Sequence, residues 1–199
     1  MLSDVVRGQI SFWLFTIICV ALHPGFVLKS DEGGMSNYGI HAKTFVPYTL
    51  ALAVTAFYSQ RAAGRIDPRS EFRGLAWALR YYSLLLFLVL VSTYPYSLNR
   101  GWRDTHFTFA VALALVEVIG VTWIIRTVER DPLDLALLAL QWTGVFLLAL
   151  TGLFGFHLLF LTEVVMAVGF GGLVVRASRR LSYSDRPSPV ALRPPIAQP

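Results

Sequence analysis

"LALLALQWTGVFLLALTGLFGFHLLFLTEVVMAVGFGGLVV", residues 135–175, runs for forty-one residues without a Lys, Arg or Asp. As one helix it would extend roughly 60 Å at 1.5 Å per residue, about twice the thickness of a bilayer's hydrocarbon core. It therefore has to fold back on itself inside a membrane. The corner falls in "TGLFGFH", Thr151 to His157, where Gly152 and Gly155 permit a tight reversal and His157 supplies a polar group at the interface. The expected product is an apolar helical hairpin with a very short exposed turn.

The rest of the chain has the same character. Of its 199 residues 55% are apolar and only 15% charged, with a mean hydropathy of +0.59, against roughly 25% charged residues in an ordinary soluble domain. Apolar runs recur at about 9–28, 44–60, 75–96, 106–125, 134–153 and 157–175. The second is the least apolar, "TFVPYTLALAVTAFY", with Pro47 in its first turn, where a missing N–H costs no helical hydrogen bond. The fold class read from this pattern is an all-α integral membrane protein with six transmembrane helices, residues 1–175, joined by short loops. A basic tail, 176–199, follows. Its five prolines point to disorder beyond the first turn.

Orientation follows from the basic residues. Arg7, Arg61, Arg65, Arg69, Arg73, Arg80, Arg126, Arg130, Arg176, Arg179, Arg180, Arg186 and Arg193 fall on one side; Lys29, Lys43, Arg100 and Arg103 fall on the other. Both termini are thus expected in the cytoplasm, with a bacterial plasma membrane as the setting. Trp13, Trp77 and Trp123 lie near the inner boundary; Tyr48, Tyr94, Tyr96 and Trp102 lie near the outer one, as aromatic belts would have them. The N-terminal apolar run reads as a retained first span, not a cleaved leader. The net charge of +5 is explained by topology, so no nucleic-acid partner is expected. The single cysteine, Cys19, lies in an apolar run, rules out an intramolecular disulfide and reads as a small buried hydrophobe. Arg80 sits close enough to the inner boundary for its guanidinium to reach the interface.

Phosphate-binding glycine loops, paired cysteines, a His-Glu-x-x-His helix and a nucleophile elbow are all missing. What stands out instead is polar chemistry inside apolar helices. Glu117 follows His106 by eleven residues, which places it roughly 16 Å deeper and nearly on the same helical face. His106, Ala110, Leu113, Glu117 and Gly120 form one stripe. Ionisable groups at that depth face a bundle interior or water. Glu117 reads either as a proton-bearing or ligand-binding carboxyl, or as a structural one bonded to Gln141 or Thr143. Glu163, in the outer half of the last span, reads equally as functional or as bonded to backbone. At the outer face, His23, His41, His106 and His157 come from four segments. With Asp31, Glu32 and Asp104 they carry the donor types that a transition metal would use, and two of the histidines could hold an outer-leaflet haem. No two of them have ligand spacing on one helix, so no cofactor is expected. Gly144, Gly169, Gly171 and Gly172 signal close helix packing.

Between the first two spans lies "KSDEGGMSNYGIHAKT", residues 29–44, a polar insert expected to cap the bundle mouth above Glu117, with Asp104 and Trp102 beside it as a solute entrance or a partner contact. Its "MSNYG", ahead of a Pro-containing second span, resembles the first luminal loop of the DRAM-type six-span membrane proteins. It is also similar to that of bacterial six-span proteins of comparable size. The likeness covers residues 30–60 and the span count. It implies a compact six-helix bundle with a role in membrane or lipid handling and carries no catalytic residue with it. On these grounds the first expectation is a non-catalytic accessory protein or subunit of a membrane complex, in contact with lipids and with other subunits or a second copy. The alternatives are a lipid or small-solute transporter working through Glu117, or an outer-leaflet enzyme with a His/acid metal site.

Overall fold

A computed structural model describes residues 1–28, 34–67, 69–96, 98–127, 131–154 and 158–184. Among these the regular elements are helical: α1 (Leu2–Leu22), a short α2 (Gly25–Leu28), a 3-10 turn over Gly34–Ser36, α3 (Asn37–Ile40), α4 (Phe45–Ala63), α5 (Arg73–Tyr96), α6 (Arg100–Thr127), α7 (Pro132–Phe154) and α8 (Leu159–Ser184). Five of them, α1, α5, α6, α7 and α8, are long and apolar enough to cross a membrane. The protein is an all-α membrane protein.

The 41-residue apolar stretch does fold back, with α7 packed along α8. Small residues set how closely they approach. A Cβ on Gly169 would lie 2.8 Å from the Gln141 backbone nitrogen and 2.9 Å from the Leu137 carbonyl oxygen; one on Gly144 would collide with Met166. In lipid, where the hydrophobic effect cannot drive helices together, such backbone approach is what holds a pair. Around the bundle α1 packs on α4, α4 on α5 and α5 on α6, while α8 touches both α1 and α6 and so closes the ring. Tyr82 of α5 and Phe170 of α8 meet at its centre, ring centroids 4.6 Å apart.

The end of the bundle that holds the starts of α1 and α7 is clamped by charge. Asp4, 1% exposed, pairs with Arg61 at 3.5 Å and Arg65 at 2.6 Å near the end of α4. Asp131 and Asp134 form a reciprocal cap at the start of α7: the Asp134 amide donates to Asp131 Oδ1 at 3.0 Å and the Asp131 amide to Asp134 Oδ2 at 3.4 Å, with Pro132 as the first helical residue. Arg176 and Arg180, one turn apart on α8, reach over this cap. Asp134 takes Arg176 Nε and an Arg180 terminal nitrogen, each at 2.5 Å, and Asp131 pairs with both arginines.

This clamp corrects the boundary expected at residue 175. The last helix continues to Ser184, because Arg176 and Arg180 are anchoring side chains of a helix and not the start of a loose tail. Residues 185–199 lie outside the described residues. Tyr48, expected near the outer boundary, is instead interior at 5% exposed, as is Tyr38 of the insert at 1%, drawn in by hydroxyl and aromatic partners. Tyr94 and Trp102 are exposed, as a membrane boundary requires; the side chain of Tyr96 lies outside the described residues.

Candidate functional site: a capped intramembrane chamber

Between α1, α4, α5, α6 and α8 lies a chamber of about 160 Å³. Its walls are mostly apolar, with Phe12, Leu52, Leu86, Val89, Leu113 and Met166 among them. Into it face two acids from different helices, Glu117 of α6 and Glu163 of α8. Three members of the α6 stripe, His106, Ala110 and Leu113, line it together with Glu117, whereas Gly120 packs against Ala78 of α5.

Each acid has a specific partner. Gln141 of α7, fully buried, donates from Nε2 to Glu117 Oε2 at 3.2 Å. Glu163 accepts the backbone N–H of Met35 at 2.5 Å. Gly34, beside it, has a φ of +54°, and a Cβ there would fall 2.3 Å from Glu163 Oε2. Only glycine combines that left-handed backbone with that approach. The polar insert is therefore docked onto the last helix by a carboxyl group.

The insert also closes the chamber through a hydroxyl network. Ser36 Oγ lies 2.9 Å from His106 Nε2 and 3.4 Å from the Tyr48 hydroxyl, which donates to it. His106 Nδ1 lies 3.0 Å from Ser92 Oγ, and Tyr48 Oη 3.1 Å from Thr93 Oγ1. With both ring nitrogens engaged, His106 has none left for a metal or a haem iron. Beneath the network, the hydroxyl of Thr162, fully buried and lining the chamber, has no hydrogen-bond partner.

Of the outer-face candidates, His23 and His41 meet edge to face at 4.6 Å, and His23 stacks on Phe26 at 4.0 Å. Asp104 is exposed near the start of α6. Asp31, Glu32 and His157 lie outside the described residues. Among the described residues no three His, Cys, Asp or Glu side chains come together as a metal would need. The sequence reading missed Ser36, Tyr48, Ser92, Thr93 and Thr162. Hydroxyls are common in apolar helices, and only the folded chain brings these five to one place.

The site is thus two carboxyls in an apolar chamber under a hydrogen-bonded cap of hydroxyls and one imidazole, inside an all-α membrane protein. The chain is 28% identical over 195 residues to bacteriorhodopsin-I of two strains of Haloquadratum walsbyi, a match covering 94% of this chain and 65% of each relative. The chain thus spans slightly less than two thirds of the length of these relatives. No protein-family model matches it, and no solved structure does.

Two expectations fall to this likeness. A non-catalytic accessory subunit is not what a match to bacteriorhodopsins along nearly the whole chain indicates, and bacteriorhodopsins carry retinal, which conflicts with the expectation of no cofactor.

Proposed function

We propose that this chain is a rhodopsin-like membrane protein, of the ion-pump or sensor kind, whose working part is the capped chamber and whose proton-bearing groups are Glu117 and Glu163. The observation that carries the proposal is that two acids from different helices, α6 and α8, share one buried chamber. Intramembrane carboxyls of this kind mark proton relays, ion paths and ligand counter-ions. His106 with Ser36, Ser92, Tyr48 and Thr93 supplies a chain of exchangeable protons between the chamber and the insert. In this reading six helices cross the membrane, both termini are cytoplasmic and the insert faces outward.

Retinal is the group that the likeness implies, and its fit can be tested on the residues present. It is an aldehyde, and a covalent link to protein requires a primary amine. The lysines are Lys29 and Lys43, and among the described residues no long helix carries one. Lys43 is exposed ahead of α4, and Lys29 lies outside the described residues. These helices do not fit a covalently held retinal, so the reading rests on the carboxyls and takes no step through that group.

Proteoliposomes enclosing a pH dye test it, with light on and off and retinal supplied or withheld. The expected result is a proton movement in the wild type that falls to the level of empty vesicles in Glu117→Gln and in Glu163→Gln. A wild type indistinguishable from empty vesicles under every condition overturns it.

A further inference from the structure

We infer that the groove between α5 and α6, at the charge-clamped end of the bundle, holds the phosphate head of an anionic phospholipid. This surface is separate from the chamber. Trp77 of α5 and Trp123 of α6, both expected at one membrane boundary, meet across the groove with ring centroids 6.0 Å apart, and Tyr81 lies 4.9 Å from Trp77. Gly74 admits the Trp123 ring to the α5 backbone: a Cβ there would fall 2.9 Å from Trp123 Cδ2. Three arginines frame these rings. Arg73 precedes Trp77 by one turn and Arg126 follows Trp123 by three residues, so the tryptophan contact sets the two arginines at about the same level, one on each helix. Arg80 lies two turns beyond Arg73, roughly 10 Å further into the membrane along α5. All three are exposed, as are Tyr81, Leu84 and Ile119 beside them.

The acids at this end are engaged elsewhere. Asp4 pairs with Arg61 and Arg65, and Asp131 and Asp134 pair with Arg176 and Arg180. Among the described residues none of Arg73, Arg80 and Arg126 has an acidic partner, Asp67 and Glu71 of the preceding loop included. Arg80 carries the argument. A cation on a lipid-facing surface two turns below the boundary is costly, and the cost falls when its long side chain reaches back toward the boundary and meets an anion there. The planar guanidinium fork matches two oxygens of a phosphate at once. A basic pocket between transmembrane helices is also where anionic lipid heads are held. Leu84 and Ile119, deeper on the same two helices, offer apolar contact to the acyl chains. An acidic protein partner would have to carry its own carboxylates into lipid to reach Arg80, whereas a phospholipid arrives with its phosphate already at the boundary.

The test is native mass spectrometry of the full chain in mild detergent, titrated with phosphatidylglycerol or with phosphatidylcholine of the same acyl chains. The first phosphatidylglycerol is expected to bind about tenfold more tightly than phosphatidylcholine. That preference is expected to fall toward parity in Arg80→Gln and to weaken in Arg126→Gln. It is expected to persist in Arg69→Gln, which removes an equal charge from the loop before α5, outside the groove. A phosphatidylglycerol carrying a diazirine beside its head is expected, on irradiation, to label residues 73–84 and 119–126. Equal affinity for the two lipids overturns the inference. So does an Arg80→Gln variant that keeps the preference as fully as Arg69→Gln does, because the attraction is then the charge of the whole surface. Arg80 lies on the outside of α5; should its variant still fail to fold, Arg126→Gln and the photolabel decide the matter. Displacement of the lipid by inorganic phosphate would make this a site for a free anion and overturns the lipid assignment. Labelling confined to 61–65 and 176–184 moves the lipid to the clamp and overturns the groove. None of these readouts involves the chamber, so the proton measurement in proteoliposomes stands or falls separately.

Discussion

Glu117 is the residue whose surroundings decide most. Its Oε2 is held by Gln141, which has no solvent of its own to fall back on. Gln141→Leu removes the donor and leaves a buried acceptor unsatisfied, so a stability loss of about 1–3 kcal/mol is expected in detergent melts. Glu117→Gln keeps an acceptor oxygen facing Gln141 and is expected to melt close to the wild type, which makes it the cleaner probe of proton exchange. Gly34 gives a second residue-scale prediction. Gly34→Ala forces a side chain into a backbone of φ +54° and onto the Glu163 carboxyl, at a backbone cost of about 1–2 kcal/mol. Residues 34–40 are then expected to exchange their amide hydrogens faster while the middle of α6 is unchanged. An unchanged exchange rate over 34–40 would show that the Met35–Glu163 contact does not hold the insert. The sequence made Glu117 legible as an intramembrane acid and narrowed its partner to Gln141 or Thr143, because an acid among Val, Leu and Ala has few partners to choose from; the folded chain supplies Gln141. It did not expose Ser36 or Thr162, because their meaning depends on which other helices arrive beside them.

At the scale of elements, the α7–α8 hairpin was legible from apolar length alone, and its clamp was not. Charge counting assigns Arg176 and Arg180 to one side of the membrane but cannot tell an arginine that marks topology from one that grips Asp131 and Asp134. Asp134→Ala leaves two arginines, each about 30% exposed, without their buried partner. A loss of about 2 kcal/mol is expected, below the range for fully buried pairs because water reaches the guanidinium groups. Fraying should appear first in residues 176–184. Asp131 adds a pH signature. The Asp134 amide, with Arg176 and Arg180 behind it, holds its carboxyl below the ordinary aspartate range. A group depressed in the folded state stabilises above its ordinary value of about 3.9 and loses that contribution as pH falls through the depressed one. Melting temperature is therefore expected to drop below about pH 4 more steeply in the wild type than in Asp131→Asn. Parallel curves would mean that Asp131 does not contribute through its charge.

For the whole molecule the deciding element is α4, whose composition leaves it outside the five helices that are apolar enough to cross a membrane on that ground alone. Its neighbours give a different answer from its composition. Asp4 near the start of α1 pairs with Arg61 and Arg65 near the end of α4, Gly8 accepts the Thr55 hydroxyl at 3.1 Å, and Cys19 near the end of α1 reaches the Thr44 carbonyl at 3.8 Å. α4 thus runs antiparallel to α1 along its length, and its 19 residues span about 28 Å. A helix covered by α1 and α5 can carry Thr55 and Ser59 inward without meeting lipid, which lowers its hydropathy while it still crosses. With α4 crossing and both termini inside, Asp67 lies on the arginine-rich inner side and Asp104 on the outer side; an inverted bundle exchanges the two. The native Cys19 is buried, so Asp67→Cys and Asp104→Cys can each be labelled in intact cells with a membrane-impermeant maleimide. Labelling of Asp104→Cys alone is expected, with Asp67→Cys reacting only after the membrane is opened. Because Ser36 and His106 share one end of the bundle, the reverse pattern would invert the whole bundle, put both termini outside and turn the chamber's cap toward the cytoplasm, so the proposed proton path from His106 to Glu117 would start from the other face.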